Sequence, residues 1–211
     1  MPRILTLFLF LSVLLCHGSV YPQARRIFYE DRVAFKEEYT SKTPSGASEA
    51  RIVQIQDQNQ SQILQQGENL LHLQQIGFTN QTFIIQSGIQ NELDHLQSGN
   101  LNQSLLIING RKNTVQSAQI GDYNYQTITL KNLEAYSQTV SLFQKGNENY
   151  LELVLINSTT PLLNAPSVQI NQLGDSHHFS GTIDSNAVPI SITQTSGFGG
   201  QGMRLRITHG N

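Results

Sequence analysis

Stepping eleven residues at a time from Gln75 lands on Gln86, Gln97, Ile108 and Gln119, and each position opens the phrase Gln-x-Gly-x-x-Asn, with Ile108 the one replacement. The glycines Gly77, Gly88, Gly99, Gly110 and Gly121 keep the same step. So do the asparagines Asn80, Asn91, Asn102, Asn113 and Asn124. A period this strict identifies one structural unit stacked on itself. The phrase returns with looser spacing as Gln54-x-Gln56-x-x-Asn59, as Gln65-x-Gly67 with Asn69 one residue early, and intact as Gln144-x-Gly146-x-x-Asn149. Weaker copies follow at Gln172-x-Gly174-x-x-His177 and Thr195-x-Gly197-x-x-Gly200, so the array runs from about Arg51 towards the C-terminus.

Eleven residues are too few for a helical repeat but suit one strand and one tight turn. The glycine offers a backbone free to take positive φ, and the asparagine is expected to occupy the left-handed region at the far side of the corner. After each asparagine the chain alternates, which points Asn80, Thr82, Ile84 and Gln86 inward. The equivalent inward sets are Asn102, Ser104, Leu106 and Ile108; Asn124, Gln126 and Ile128; and Asn149, Leu151, Leu153 and Leu155. Two units close one coil of about twenty-two residues, with successive coils about 4.8 Å apart. The expected fold is all-β: a two-sheeted parallel β-solenoid of roughly seven coils.

Stacking would put Gln75, Gln97, Gln119 and Gln144 over one another as an amide ladder, with Gln86 in the opposite sheet, where Ile108 interrupts it. Asn80, Asn102, Asn124 and Asn149 would form another ladder, and Asn91 and Asn113 a further one. The turn glycines would be Gly77, Gly88, Gly99, Gly110, Gly121 and Gly146. A buried amide left alone costs about 1–3 kcal/mol, so inward glutamines require their copies above and below. On the outer walls the same parity leaves Phe83, Ile85, Leu105 and Ile107 on one face, against Asp94, Leu96, Gln116 and Ala118 on the other. The first set is a candidate docking patch. Equally, the N-terminal segment or the loop near Pro161 could fold over it.

Gln and Asn supply 41 of the 211 residues, whereas 12 of the 28 charged residues fall within the first 51 positions. With a formal net charge of -2 there is no basic footprint for nucleic acid. Residues Ile4 to Leu15 form an apolar run behind Arg3 and read, over 1–21, as a secretory signal peptide. Cys16 could be acylated there or discarded with the leader. Residues 22–50 read as a charged arm or linker with a short helix around Asp31 to Tyr39, and 51–211 as the solenoid. His177 and His178 beside Asp175 face opposite sides of a strand, which argues against a metal site. No catalytic motif and no cofactor site emerges, so a structural protein is expected rather than an enzyme.

The repeated phrase resembles the curlin repeats of bacterial curli fibre subunits. The segment Gln119 to Asn124 and the ending Met203 to Thr208 look most like the minor, nucleating subunit. That resemblance implies a subunit secreted through a curli-type outer-membrane pore with its accessory factors, which joins an amyloid fibre at the cell surface and templates a major subunit. It also implies outer-membrane retention through a basic tail, here Arg204, Arg206 and His209. A major fibre subunit is the alternative within the family. A monomeric solenoid that binds polysaccharide is the alternative outside it. A solenoid has two open ends; the first coil, near Ile52 to Ile63, carries only Arg51 and Asp57 as deterrents, and this end or the C-terminal one is expected to add the next subunit's strand.

Overall fold

The computed structural model describes residues 12–15, 23–28, 35–42, 48–130, 138–154, 167–182, 190–196 and 202–206. Its strands are β1 (Ser12–Leu15), β2 (Gln23–Phe28), β3 (Phe35–Lys42), β4 (Glu49–Ile55), β5 (Gln60–Ile76), β6 (Gln81–Ser98), β7 (Gln103–Ile108) and β8 (Asn113–Ile120). They continue with β9 (Tyr125–Ile128), β10 (Gln138–Lys145), β11 (Tyr150–Leu153), β12 (Ser167–Leu173), β13 (His178–Ser180), β14 (Ile190–Thr195) and β15 (Arg204–Arg206). From the β4–β5 pair onward every pairing among the described strands is parallel, and the chain winds as a two-sheeted β-solenoid.

One sheet stacks β4, the second half of β5, the second half of β6, then β8, β10, β12 and β14. The other stacks the first halves of β5 and β6, then β7, β9, β11, β13 and β15. Partners lie twenty-two residues apart where the repeat is strict, as in Gln75↔Gln97 and Gln97↔Gln119. Where the sequence lengthens the period, register survives: Gln119 pairs with Gln144 and Gln144 with Gln172. The lengthened segments 130–143 and 157–167 read in the sequence as interruptions of the stack, and the pairing of β8, β10 and β12 overturns that reading: the ladder continues across both. The early Asn69 is absorbed by a bulge after Glu68, which leaves Gln90 unpaired and sets Asn69 over Asn91.

The alternation that makes these segments strands also fills the space between the sheets. One column holds Ile63, Ile84, Leu106, Ile128 and Leu153, all buried, and another holds Ala50, Leu71, Leu93, Val115, Val140 and Val168. Burying each such side chain stabilises by about 1.5–3 kcal/mol. The column Ile52, Leu73, His95, Ser117, Leu142 and Ile170 is polar for two rungs in its middle. The inward sets expected from parity are buried throughout, except Leu155, which lies outside the described residues.

The N-terminal arm departs from expectation. The proposed helix around Asp31 to Tyr39 is replaced over its described part by β3, which pairs antiparallel with both β2 and β4. Strand propensity alone does not choose here. The bare backbone edge of β4 offers a ladder of hydrogen bonds that a lone short helix could not match. The register sets Arg25 opposite Glu38 and Arg26 opposite Glu37, so a hairpin of complementary charge covers the first rung. The first rung is thus closed, and the expected open edge near Ile52 to Ile63 is not found. In the other sheet β1, within the segment read as a leader, pairs with Gln62 to Gln65.

Candidate functional site

The chemistry that distinguishes this chain lies in amide columns that run along the axis. In the first sheet seven glutamines form one continuous ladder, each Nε2 donating to the Oε1 of the next rung. The distances are 2.6 Å from Gln54 to Gln75, 2.8 Å to Gln97, 3.0 Å to Gln119, 3.0 Å to Gln144, 2.8 Å to Gln172 and 2.9 Å to Gln194. The second amide proton crosses the coil to a backbone carbonyl of the facing sheet, as from Gln97 to the Gln81 carbonyl at 3.1 Å. In the second sheet the ladder is a single bond, Gln65 to Gln86 at 2.8 Å, because Ile108 follows.

The asparagines form a ladder of opposite polarity. Asn80, Asn102, Asn124 and Asn149 each donate backbone N–H and side-chain Nδ2 to the Oδ1 of the asparagine one rung earlier, at 3.0–3.1 Å. The second corner repeats the arrangement from Asn69 through Asn91 to Asn113. The Nδ2 of Asn69, Asn80, Asn91, Asn102, Asn124 and Asn149 also reaches a glycine carbonyl of the next corner, as from Asn102 to Gly121 at 2.7 Å.

These bonds correct one expectation about the corner. The asparagine is not the left-handed residue; the residue before it is. Thr79, Leu101, Tyr123, Glu148 and Ser176 have φ between 55° and 58°. Asparagine is needed to point inward and bridge rungs, so the left-handed strain falls on its neighbour, at about 1–2 kcal/mol for a side-chain-bearing residue. The glycines are required on two counts. Gly77 has φ 111°, and a Cβ there would lie 1.9 Å from the carbonyl oxygen of Gly99. Gly88, Gly99, Gly121 and Gly146 stack equally closely, and Gly110 shares the positive φ.

A third column escaped the sequence reading. At the position after each glycine of the first corner, Asn100, Asp122, Asn147 and Asp175 each accept with Oδ1 the backbone N–H of the preceding rung, at 2.7–3.1 Å. Its signal was present as Asn or Asp following Gly99, Gly121, Gly146 and Gly174. On the outer wall of the second sheet Tyr125 stacks on Tyr150 at 5.2 Å and Tyr150 on His178 at 4.6 Å, rings within 7° of parallel. The Tyr150 hydroxyl donates to Glu152 at 2.6 Å, and that bond pushes its pKa up to about 12.

The columns end differently at the two ends. At the N-terminal end Gln54 Oε1 is buried without a partner. At the C-terminal end His177 takes the asparagine position: its N–H donates to Asn149 Oδ1 at 3.0 Å, and its Nδ1 accepts the Met203 N–H at 3.0 Å. Inside, His95 lies fully buried with Nδ1 3.0 Å from the Ser117 hydroxyl, which in turn donates to Gln126 at 2.6 Å. Removal from water, opposed only weakly by the contact with Ser117, pushes the His95 pKa down to about 3.

Phe83 and Ile85 sit one rung below Leu105 and Ile107 on the second sheet's outer face, half-buried against one another, with Leu64 continuing the patch. The loop near Pro161 lies outside the described residues. Arg204 and Arg206 are exposed on β15 and continue the columns of His178 and Ser180, whereas His209 lies outside the described residues. Among the described residues no group of three His, Cys, Asp or Glu side chains is placed to hold a metal ion. No protein-family model matches the chain, and no curated protein or solved structure matches it significantly.

Proposed function

We propose that the protein is a secreted curli-like amyloid component, a minor subunit or nucleator that templates polymerisation of a major subunit at the cell surface for adhesion and biofilm. Its role is structural rather than catalytic. The observation that carries this reading is the unbroken glutamine ladder of seven rungs, from Gln54 to Gln194, held in a parallel stack whose last strands, β14 and β15, have one neighbour each among the described residues. Such a stack presents an ordered row of backbone donors and acceptors on which a like chain can add a rung. Export through a curli-type pore with accessory factors, and retention at the outer membrane through Arg204, Arg206 and His209, belong to the same reading. The patch of Phe83, Ile85, Leu105 and Ile107 is a candidate contact with a partner subunit.

The hairpin over the first rung favours a nucleator over a major subunit, since a fibre substance needs two free ends. The test is seeding. A purified curlin major subunit is mixed with substoichiometric amounts of this protein, and amyloid-dye fluorescence is followed. A shortened lag is expected; an unchanged lag refutes the reading.

A further inference from the structure

The two ends of the solenoid are built for opposite purposes. At the N-terminal end β3 runs against the direction of every rung, places Glu37 at the register position over Gln54, and is backed by β2 with Arg25 and Arg26. Four of its eight residues, Lys36, Glu37, Glu38 and Lys42, are charged. Among the described residues the outermost strand at this end is β2, with Arg25 and Arg26 among its six residues, and charged edge strands are a standard device against edge-to-edge association. The glutamine ladder stops beneath β3, which is why Gln54 Oε1 has no partner.

At the C-terminal end, β14 carries no charge and pairs only with β12 among the described residues. Gln194 shows what is missing. Gln172 gives one amide proton to the Tyr150 carbonyl at 2.9 Å and the other to Gln194 Oε1 at 2.9 Å. Gln194 gives one to the matching carbonyl of His178 at 3.2 Å, but the other to Met203 O at 3.1 Å, in place of a further glutamine. The asparagine column already ends at His177, so the receptive surface is the β14 edge rather than the corner.

We propose that the solenoid is a one-ended template: β14 receives the first parallel rung of another glutamine-repeat chain, whose inward Oε1 takes the Gln194 proton, while the β2–β3 hairpin prevents further growth at the N-terminal end. The hairpin also stops this chain from stacking head to tail on itself. The first half of β5 is covered by β1; if β1 leaves with a leader, a two-stranded coil still cannot dock there, because β3 occupies the other half. The inference rests on the reading of the protein as a fibre component.

Uncapped copies of the same full-length chain provide the probe. Val13→Pro, Glu38→Pro and Tyr39→Pro together remove β1 and β3 as pairing strands, whichever N–H of β3 faces β4. Wild type at high concentration is expected to remain in the supernatant on ultracentrifugation, and the uncapped chain to pellet as dye-positive fibres. Adding Thr193→Pro, an exposed position on β14, is expected to restore solubility. Circular dichroism establishes that each variant keeps its strands. Fibres from wild type, no fibres from the folded uncapped chain, or fibres undiminished by Thr193→Pro would each overturn the proposal. An uncapped chain that loses its strands is replaced by Val13→Gly, Glu38→Gly and Tyr39→Gly, which loosen the same two strands without a proline, and the same three outcomes decide. Seeding of a curlin major subunit is scored separately: its loss in wild type would refute the functional reading, whereas the self-stacking result would still decide the polarity.

Discussion

Replacing Gln97 by leucine tests how much the central ladder contributes. Gln97 donates to Gln119 Oε1 at 3.0 Å, to Gln81 O at 3.1 Å and to Ser104 Oγ at 3.1 Å, and accepts from Gln75 at 2.8 Å and Thr82 at 2.7 Å. Leucine is similar in volume, so cavity formation is minor. The Thr82 hydroxyl loses its acceptor, Gln75 Nε2 keeps only its longer bonds to carbonyls and Thr82, and Gln119 Oε1 keeps only the Ser104 hydroxyl. One orphaned buried group and several weakened ones amount to about 3–4 kcal/mol of lost stability. The control is Gln65→Leu with Gln86→Leu, which removes both partners of the one-bond ladder beneath the already apolar Ile108. Its cost is about 1 kcal/mol or less, since replacing both members of a pair leaves almost nothing unpaired. Guanidinium unfolding followed by circular dichroism reads both, compared at equal slopes because repeat arrays can unfold in parts. A Gln97→Leu chain no less stable than the double variant would refute the reasoning.

Gly77→Ala should destabilise by several kcal/mol, on the order of the severest point mutations, because its Cβ meets the Gly99 carbonyl; loss of the folded baseline in thermal melts is the readout. Tyr123→Asn should stabilise by about 0.5–1 kcal/mol, since φ 57° suits asparagine and Tyr123 is exposed; an unchanged melting temperature would contradict it. Stability should fall with acid through His95. Its folded pKa lies below the ordinary value of 6.5, so its contribution is complete above about pH 6.5 and is lost progressively down to about pH 3. Between pH 7 and pH 4 that amounts to about 3 kcal/mol, and His95→Leu should remove this part of the slope.

The sequence made the stack legible because like residues must lie over like when the corner recurs every eleven residues. Register, inward parity, the glycine corners and both kinds of ladder follow from that one constraint. What it hid has local causes. The left-handed strain on Thr79, Leu101 and Tyr123 is invisible because those residues are chosen for nothing else: they absorb the geometry that frees asparagine to bridge rungs. The outer column of Asn100, Asp122, Asn147 and Asp175 reads as ordinary turn chemistry until the rungs are superposed. The β2–β3 cap lies in a charged stretch without period, where only the need to cover an edge, a property of the assembled stack, decides the structure.

Engineered disulfides test the stacking most directly, since the described array contains no cysteine. His72 and Asp94 are register partners on the outer wall, one coil apart, whereas His72 and Phe83 lie in opposite sheets. Adjacent strands about 4.8 Å apart fall within disulfide reach. With Cys16→Ser as background, the pair His72→Cys and Asp94→Cys should oxidise to an intramolecular bond in the folded chain, and the pair His72→Cys and Phe83→Cys should not. Bonding of the second pair, or failure of the first, would contradict a flattened coil of twenty-two residues.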